Sequence, residues 1–168
     1  MSRSALMDFT VHKSDNTVHV SRVFAAPRGT VWSAWTEPDL LDQWWAPAPW
    51  KNETIRMDFQ AGGQWFYAMR GPEGDAHYCV NDYLRITPEE AFESLDAFAD
   101  QEGKPSADMP RSAWTIEFLP EGESTRVDIV IRYEKPEDLE TVIQMGFREG
   151  FSQGLDQLDS LLADRTAA

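Results

Sequence analysis

Two places in this chain carry residue types and spacings that can do chemistry. His77 and Asp96 lie on segments that read as consecutive strands, so a hairpin would set a carboxylate near an imidazole, as a general base requires. Asn81 and Tyr83, at even spacing from His77, would then supply polarising hydrogen bonds. Cys79 is the chain's one cysteine and a second candidate, as a thiol nucleophile. A lone cysteine on a strand is more often a small apolar filler. Other chemistries lack their signatures. His12, His19 and His77 are dispersed, and neither an H-E-x-x-H pair, a cysteine pair nor a calcium-type loop occurs, so no metal site is expected. Without a phosphate-binding glycine loop, a G-x-G-x-x-G turn or a G-x-S-x-G elbow, no cofactor is expected either.

Any such site must be positioned by a folded scaffold. An apolar fraction of 42%, with seven Trp, nine Phe and four Tyr, is too high for a disordered chain. At 168 residues one substantial core is expected, with residues 17–165 as a single domain behind a loose or partly paired segment 1–16. Acidic residues outnumber basic ones 29 to 15, so nucleic acid and anionic membrane surfaces are excluded as partners. The first twelve residues lack a signal-peptide pattern, and no apolar run spans a bilayer, so a soluble cytoplasmic protein is expected.

The elements read in order. Thr17 to Phe24 alternates as a strand, with Val18, Val20 and Arg22 on one side. Pro27 opens a helix carrying Val31, Trp32, Ala34 and Trp35, and Glu37-Pro38-Asp39 starts a second that ends at the prolines of 46–49. Turn signals then predict strands at 53–59, 64–70, 77–86, 91–99, 113–119 and 125–133, an antiparallel meander broken by a polar loop at 100–111. A helix opens at Pro136, breaks at Gly146, and continues with Phe147, Phe151, Leu155, Leu158 and Leu162 as one stripe.

Alternation gathers Trp65, Tyr67 and Met69 on one strand face, Trp114, Ile116 and Phe118 on another, and Val127, Ile129, Ile131 and Tyr133 on a third. One sheet face is thus aromatic and the other largely polar, and the terminal helix is its natural cover. Gly146, Gly150 and Gly154 form a second stripe on that helix, read either as close packing or as a pocket wall. His77, Cys79, Asn81 and Tyr83 share a face, as do Phe92, Ser94, Asp96 and Phe98, but alternation alone does not say which faces point inward. If the His77 face points inward, the cup gains a few convergent polar groups. The ligand-contact candidates are then Trp65, Tyr67, Met69, His77, Asn81, Tyr83, Phe98, Trp114, Ile116, Phe147, Gly150 and Phe151.

The run Val23-Phe24-Ala25-Ala26-Pro27 through Val31-Trp32-Ser33-Ala34-Trp35-Thr36, followed by Trp44-Trp45-Ala46-Pro47, resembles the opening of the activator of heat shock protein 90 ATPase-like family. Gly62-Gly63-x-Trp65 with Gly71-Pro72-Glu73-Gly74, and Met145-Gly146-Phe147 with Gly150-Phe151 and Leu155-x-x-Leu158, are similar to its later landmarks. That family belongs to the START/Bet v 1-like (SRPBCC) superfamily. The resemblance implies an α+β helix-grip fold, a curved antiparallel sheet wrapped around a long C-terminal helix, with two short helices after the first strand. It also implies an internal cavity, in a superfamily that binds lipids, sterols, polyketides and hormones and contains only some enzymes. In that family chaperone stimulation goes with larger proteins that have an added N-terminal domain, so it is not expected of this chain's short polar lead.

Three readings follow, in order. The first is a binding module for a small apolar ligand. The second is a cavity enzyme using His77 and Asp96. The third is a protein-interaction module, toward a chaperone or a second copy, with Trp44, Trp45 or Trp50 at the contact.

Overall fold

β-branched and aromatic residues at alternate positions, punctuated by Gly and Pro turns, build the strands of this protein into one sheet. The structure, a computed structural model, describes residues 8–167. The strands are β1 (Asp8–His12), β2 (Thr17–Phe24), β3 (Lys51–Met57), β4 (Gln64–Arg70), β5 (Ala76–Thr87), β6 (Ala91–Ala99), β7 (Ser112–Glu121) and β8 (Ser124–Tyr133). They form a single antiparallel sheet in the order β1-β2-β8-β7-β6-β5-β4-β3. Helices α1 (Arg28–Thr36) and α2 (Pro38–Trp44) follow β2, and α3 (Pro136–Gln144) and α4 (Phe147–Ala167) close the chain. This is the helix-grip arrangement, with α4 lying against the concave face. Among the described residues no helix is long and apolar enough to cross a membrane.

Of the loose or partly paired lead expected for residues 1–16, one part is paired. Asp8–His12 pairs with Thr17–Ser21 and becomes an edge strand, because Phe9 and Val11 find apolar partners at the core margin. The rest of that expectation, residues 1–7, lies outside the described residues. The third strand also begins earlier than expected, at Lys51, and stops at Met57. Asp58 turns the chain instead, and Phe59 leaves the ladder to pack edge-on against Trp32, Tyr83 and Phe92.

That turn has little slack. Gly63 N–H donates to Gln60 O (2.7 Å), Gly62 N–H donates to Tyr83 O (2.8 Å), and Tyr83 N–H donates to Gly63 O (2.9 Å), so the turn is tied to β5. A Cβ on Gly63 would stand 2.1 Å from the Asp58 carbonyl oxygen. Backbone on both sides of that clash leaves no flexible atom to yield, so Gly63→Ala is expected to cost about 3 kcal/mol in urea unfolding. An unchanged midpoint would show that the turn relaxes freely.

The inward face carries the core: Val18, Val20 and Phe24, then Trp114, Ile116 and Phe118, then Val127, Ile129, Ile131 and Tyr133, all buried. Phe151, Leu155, Leu158 and Leu162 of α4 fill the grip from the other side. The outer face is less uniformly polar than alternation suggests. Phe66, Val80 and Ala97 form a second buried cluster there with Tyr78 and Ala99. It is covered by the polar loop after β6, whose Gly103 packs onto the Phe66 ring, with Arg56 beside that ring.

Arg22 sits on the core side of β2 with a side chain only 1% exposed. Its Nη1 donates to Asp156 Oδ1 (2.8 Å), and its Nη2 lies 3.6 Å from Asp159 Oδ2, both on α4. A guanidinium therefore links sheet to helix inside the grip.

Candidate functional site

β4, β5 and β6 settle which faces point inward. Cross-strand pairing sets Tyr67 opposite Cys79, Met69 opposite His77 and Trp65 opposite Asn81. Cys79 in turn opposes Phe98, and Asn81 opposes Asp96. Paired residues share a face, so the aromatic face of β4 carries the His77, Cys79, Asn81 and Tyr83 row and the Phe92, Ser94, Asp96 and Phe98 row inward with it.

Between this wall and the α3–α4 junction lies an open cavity of about 310 Å³. Eight sequence-predicted contact residues line it: Tyr67, Met69, His77, Phe98, Trp114, Phe147, Gly150 and Phe151. The other four, Trp65, Asn81, Tyr83 and Ile116, line a second space of only about 20 Å³ deeper in the sheet. Trp45 and Trp114 border both, so these two indoles divide the grip into an outer chamber and a nearly closed inner one.

Residues that alternation missed complete the outer chamber: Trp45, Pro47, Val142 and Met145, together with Cys79 and Asp96 in a lining role. None of the first four is on a strand, so no period of two could find them. Trp45 and Pro47 belong to the segment after α2, which α4 fastens by amide hydrogen bonds. Gln157 Nε2 donates to Trp44 O and Ala46 O (2.9 Å each), Gln157 Oε1 accepts from Ala48 N–H (2.8 Å), and Gln153 Nε2 donates to Ala48 O (2.8 Å). Trp45 is fixed further by donating from Nε1 to the Tyr67 hydroxyl (3.0 Å).

The glycine stripe divides into three functions. Gly146 has φ +90° and ends α3, a conformation that side chains resist. Gly154 packs closely, since its Cβ would lie 3.4 Å from the carbonyl oxygens of Trp44 and Trp45. Gly150 borders open space, with only Pro47 Cγ within reach of an added Cβ, at 3.8 Å. Close packing and a pocket wall thus both occur, at different glycines.

The acid–base pair drawn from the sequence is not assembled. Asp96 opposes Asn81, four residues along β5 from His77, a separation of about 13 Å. His77 is exposed at the cavity rim, its ring 5.2 Å from that of Trp50. Asp96 is held elsewhere: Ser112 N–H donates to Oδ1 (2.9 Å) and Ser112 Oγ–H donates to the same oxygen. Trp114 Nε1 donates to Ser112 Oγ (3.0 Å). Burial pushes the Asp96 carboxyl up to about 6 against the opposing pull of those Ser112 bonds. Burial likewise pushes the Cys79 thiol up to about 12, so at neutral pH it is a protonated thiol and not a nucleophile. The Tyr67 hydroxyl is pushed well above the usual phenol range by the same cause.

The tryptophans proposed for a protein contact face inward as well. Trp44 is 1% exposed and donates its indole N–H to Ala34 O (2.9 Å), and Trp45 turns to the cavity. Trp50, partly buried against His77, is the one that reaches the surface. Among the described residues no group of three or more His, Cys, Asp or Glu side chains converges to hold a metal ion.

The model of one protein family, described as Activator of Hsp90 ATPase homolog 1-like protein, matches residues 25–163. No curated protein sequence matches the chain. Among solved structures, protein Ms6760 from Mycobacterium smegmatis aligns with a TM-score of 0.86 at 30% identity, covering 92% of this chain and 95% of that one. A protein from Arthrobacter aurescens aligns with a TM-score of 0.89 at 26% identity, over 95% and 92%. One from Staphylococcus epidermidis gives 0.82 at 28% identity, over 93% and 94%.

Proposed function

Because this chain belongs to the family of activator of Hsp90 ATPase homolog 1-like proteins, whose fold commonly serves as a ligand-binding or chaperone-associated module, we propose that it binds a small apolar molecule between its sheet and its C-terminal helices. One observation carries this reading: a cavity of about 310 Å³ walled by Trp45, Tyr67, Trp114, Phe147 and Phe151, of a size that suits a small organic ligand. Packed interiors rarely leave voids larger than a water molecule, so an aromatic space of this size favours a binding role over a structural one. Binding without turnover suits the separation of His77 from Asp96 and the protonated state of Cys79.

The test is native mass spectrometry of freshly purified protein, followed by extraction and identification of the adduct. A stoichiometric apolar adduct, lost on Trp114→Ala, supports the proposal. A clean protein mass, with no thermal shift across a library of neutral aromatic compounds, overturns it. The chaperone-associated reading, which rests on the family's description, would then take its place.

A further inference from the structure

The outer chamber has one feature that a purely apolar ligand would not use. Asp96 lines it, on the same face as Tyr67 and Cys79 and next to Trp114. Both Ser112 bonds fall on Oδ1, the Trp114 indole also acts on the carboxylate, and the side chain still lines the chamber. Among the described residues Asp96 has no ion-pair partner. The nearest guanidinium, Arg111, gives its Nη2 to Asp82 on the outer face (2.9 Å) and only its Nε to the Asp96 backbone carbonyl (3.2 Å). No Lys or Arg lines the chamber.

Resting on the ligand-binding reading above, we propose that the ligand class of this cavity is an apolar cation, an aromatic or aliphatic ammonium compound whose charged head is held by Asp96 within the aromatic wall. Two independent features recognise such a head. A carboxylate attracts it directly, and the quadrupoles of Trp45, Tyr67, Trp114, Phe147 and Phe151 favour a cation over a neutral group of the same shape. A fatty-acid-type anion meets the opposite field, with one carboxylate already inside and no Lys or Arg in the lining to pair with it. The formal net charge of −14 acts in the same sense at long range, gathering cations and repelling anions.

The energetics of Asp96 agree. Its folded pKa, about 6, is above the ordinary carboxylate value, so the folded state binds the proton more tightly than the unfolded one. Stability is therefore undiminished below the ordinary carboxylate range and falls as pH rises toward 6, with the full cost present at neutral pH. A half-buried carboxylate shifted in this way inside a cleft is a candidate functional group.

The test uses two isosteric probes, phenyltrimethylammonium and tert-butylbenzene, which differ only in a quaternary nitrogen replacing a carbon. Each is titrated into the full chain by tryptophan fluorescence. At pH 7.5 the cation is expected to bind about tenfold more tightly than its neutral twin. That preference should fall at least about threefold in Asp96→Asn, leaving what the rings supply; the amide oxygen still accepts the Ser112 bonds, and stability at neutral pH should be no lower. The preference should also fade in the unaltered protein as pH drops from 7.5 to 5. The other ionisable groups facing Asp96 are Tyr67, Cys79, Tyr133 and Arg111, with His77 at the rim. Repeating the pH series on Asp96→Asn separates the His77 contribution. Equal binding of the two probes, or a cation preference undiminished in Asp96→Asn, overturns the proposal while leaving the apolar cavity standing. If neither probe binds, both readings fall.

Discussion

Gly150→Met is expected to weaken binding of a neutral apolar probe such as N-phenyl-1-naphthylamine roughly a hundredfold, without destabilising the protein. An added side chain at 150 meets only Pro47 Cγ at 3.8 Å before entering the chamber, so it occupies the space that a ligand needs. Replacing a helical glycine also removes a conformational cost of about 0.5–1 kcal/mol, so the melting temperature should hold or rise. Loss of binding with retained stability is hard to obtain from general damage. Gly154→Ala is the companion control. Its Cβ would press on the Trp44 and Trp45 carbonyl oxygens at 3.4 Å, so no comparable stability gain is expected there. If Gly150→Met binds the probe as well as the unaltered chain does, the molecule sits somewhere other than this cavity.

The second large effect concerns Arg22. Removing its acids together, Asp156→Ala with Asp159→Ala, should cost about 3 kcal/mol in urea unfolding at neutral pH, because a guanidinium would remain inside the grip without a counter-charge. Arg22→Met should cost clearly less. It takes away the charge along with its desolvation penalty and deletes Nε and Nη2, which find no hydrogen-bond partner among the described residues, against the loss of the guanidinium's place over the Phe24 ring. The order of the two effects is the test. If Arg22→Met proves the more damaging, the buried cation contributes net stability and desolvation does not dominate.

Why the sequence revealed some of this and not the rest has a physical explanation. Strand and helix order was legible because each boundary carries its own local signal. Pro27 and Pro38 start helices, glycine pairs turn hairpins, and the period changes from two to about four after Tyr133. Gln64–Arg70 and Ala91–Ala99 were readable to the residue, since both have a turn at each end. The inward direction of the His77 row was not legible, because both faces of β5 and β6 carry polar and aromatic residues, and only pairing with Trp65 and Tyr67 on β4 decides between them. Trp45, Pro47, Val142 and Met145 escaped because their place at the cavity depends on how helices and a proline-rich segment close over the sheet. Arg22 was placed on the correct side of its strand, yet its partners are more than a hundred residues away on α4, beyond any local pattern. The distance between His77 and Asp96 was likewise a matter of register, which alternation leaves open by any even number of residues.

The glycine that separates α3 from α4 has a consequence for time as well as for shape. With φ +90° at Gly146, the two helices are not one rod, and α3 buries only Leu139 fully along its nine residues while α4 is packed through the core. Helical segments with so little buried surface open by local fluctuation, far more often than the molecule unfolds as a whole. Val142 and Met145 flank the chamber from this weakly held side, whereas the opposite rim is clasped by the amides of Gln153 and Gln157. Fraying of this short helix would widen one side of an already open chamber. On the binding role proposed above, how long a molecule stays would depend on α3, and how tightly it is held on the aromatic wall.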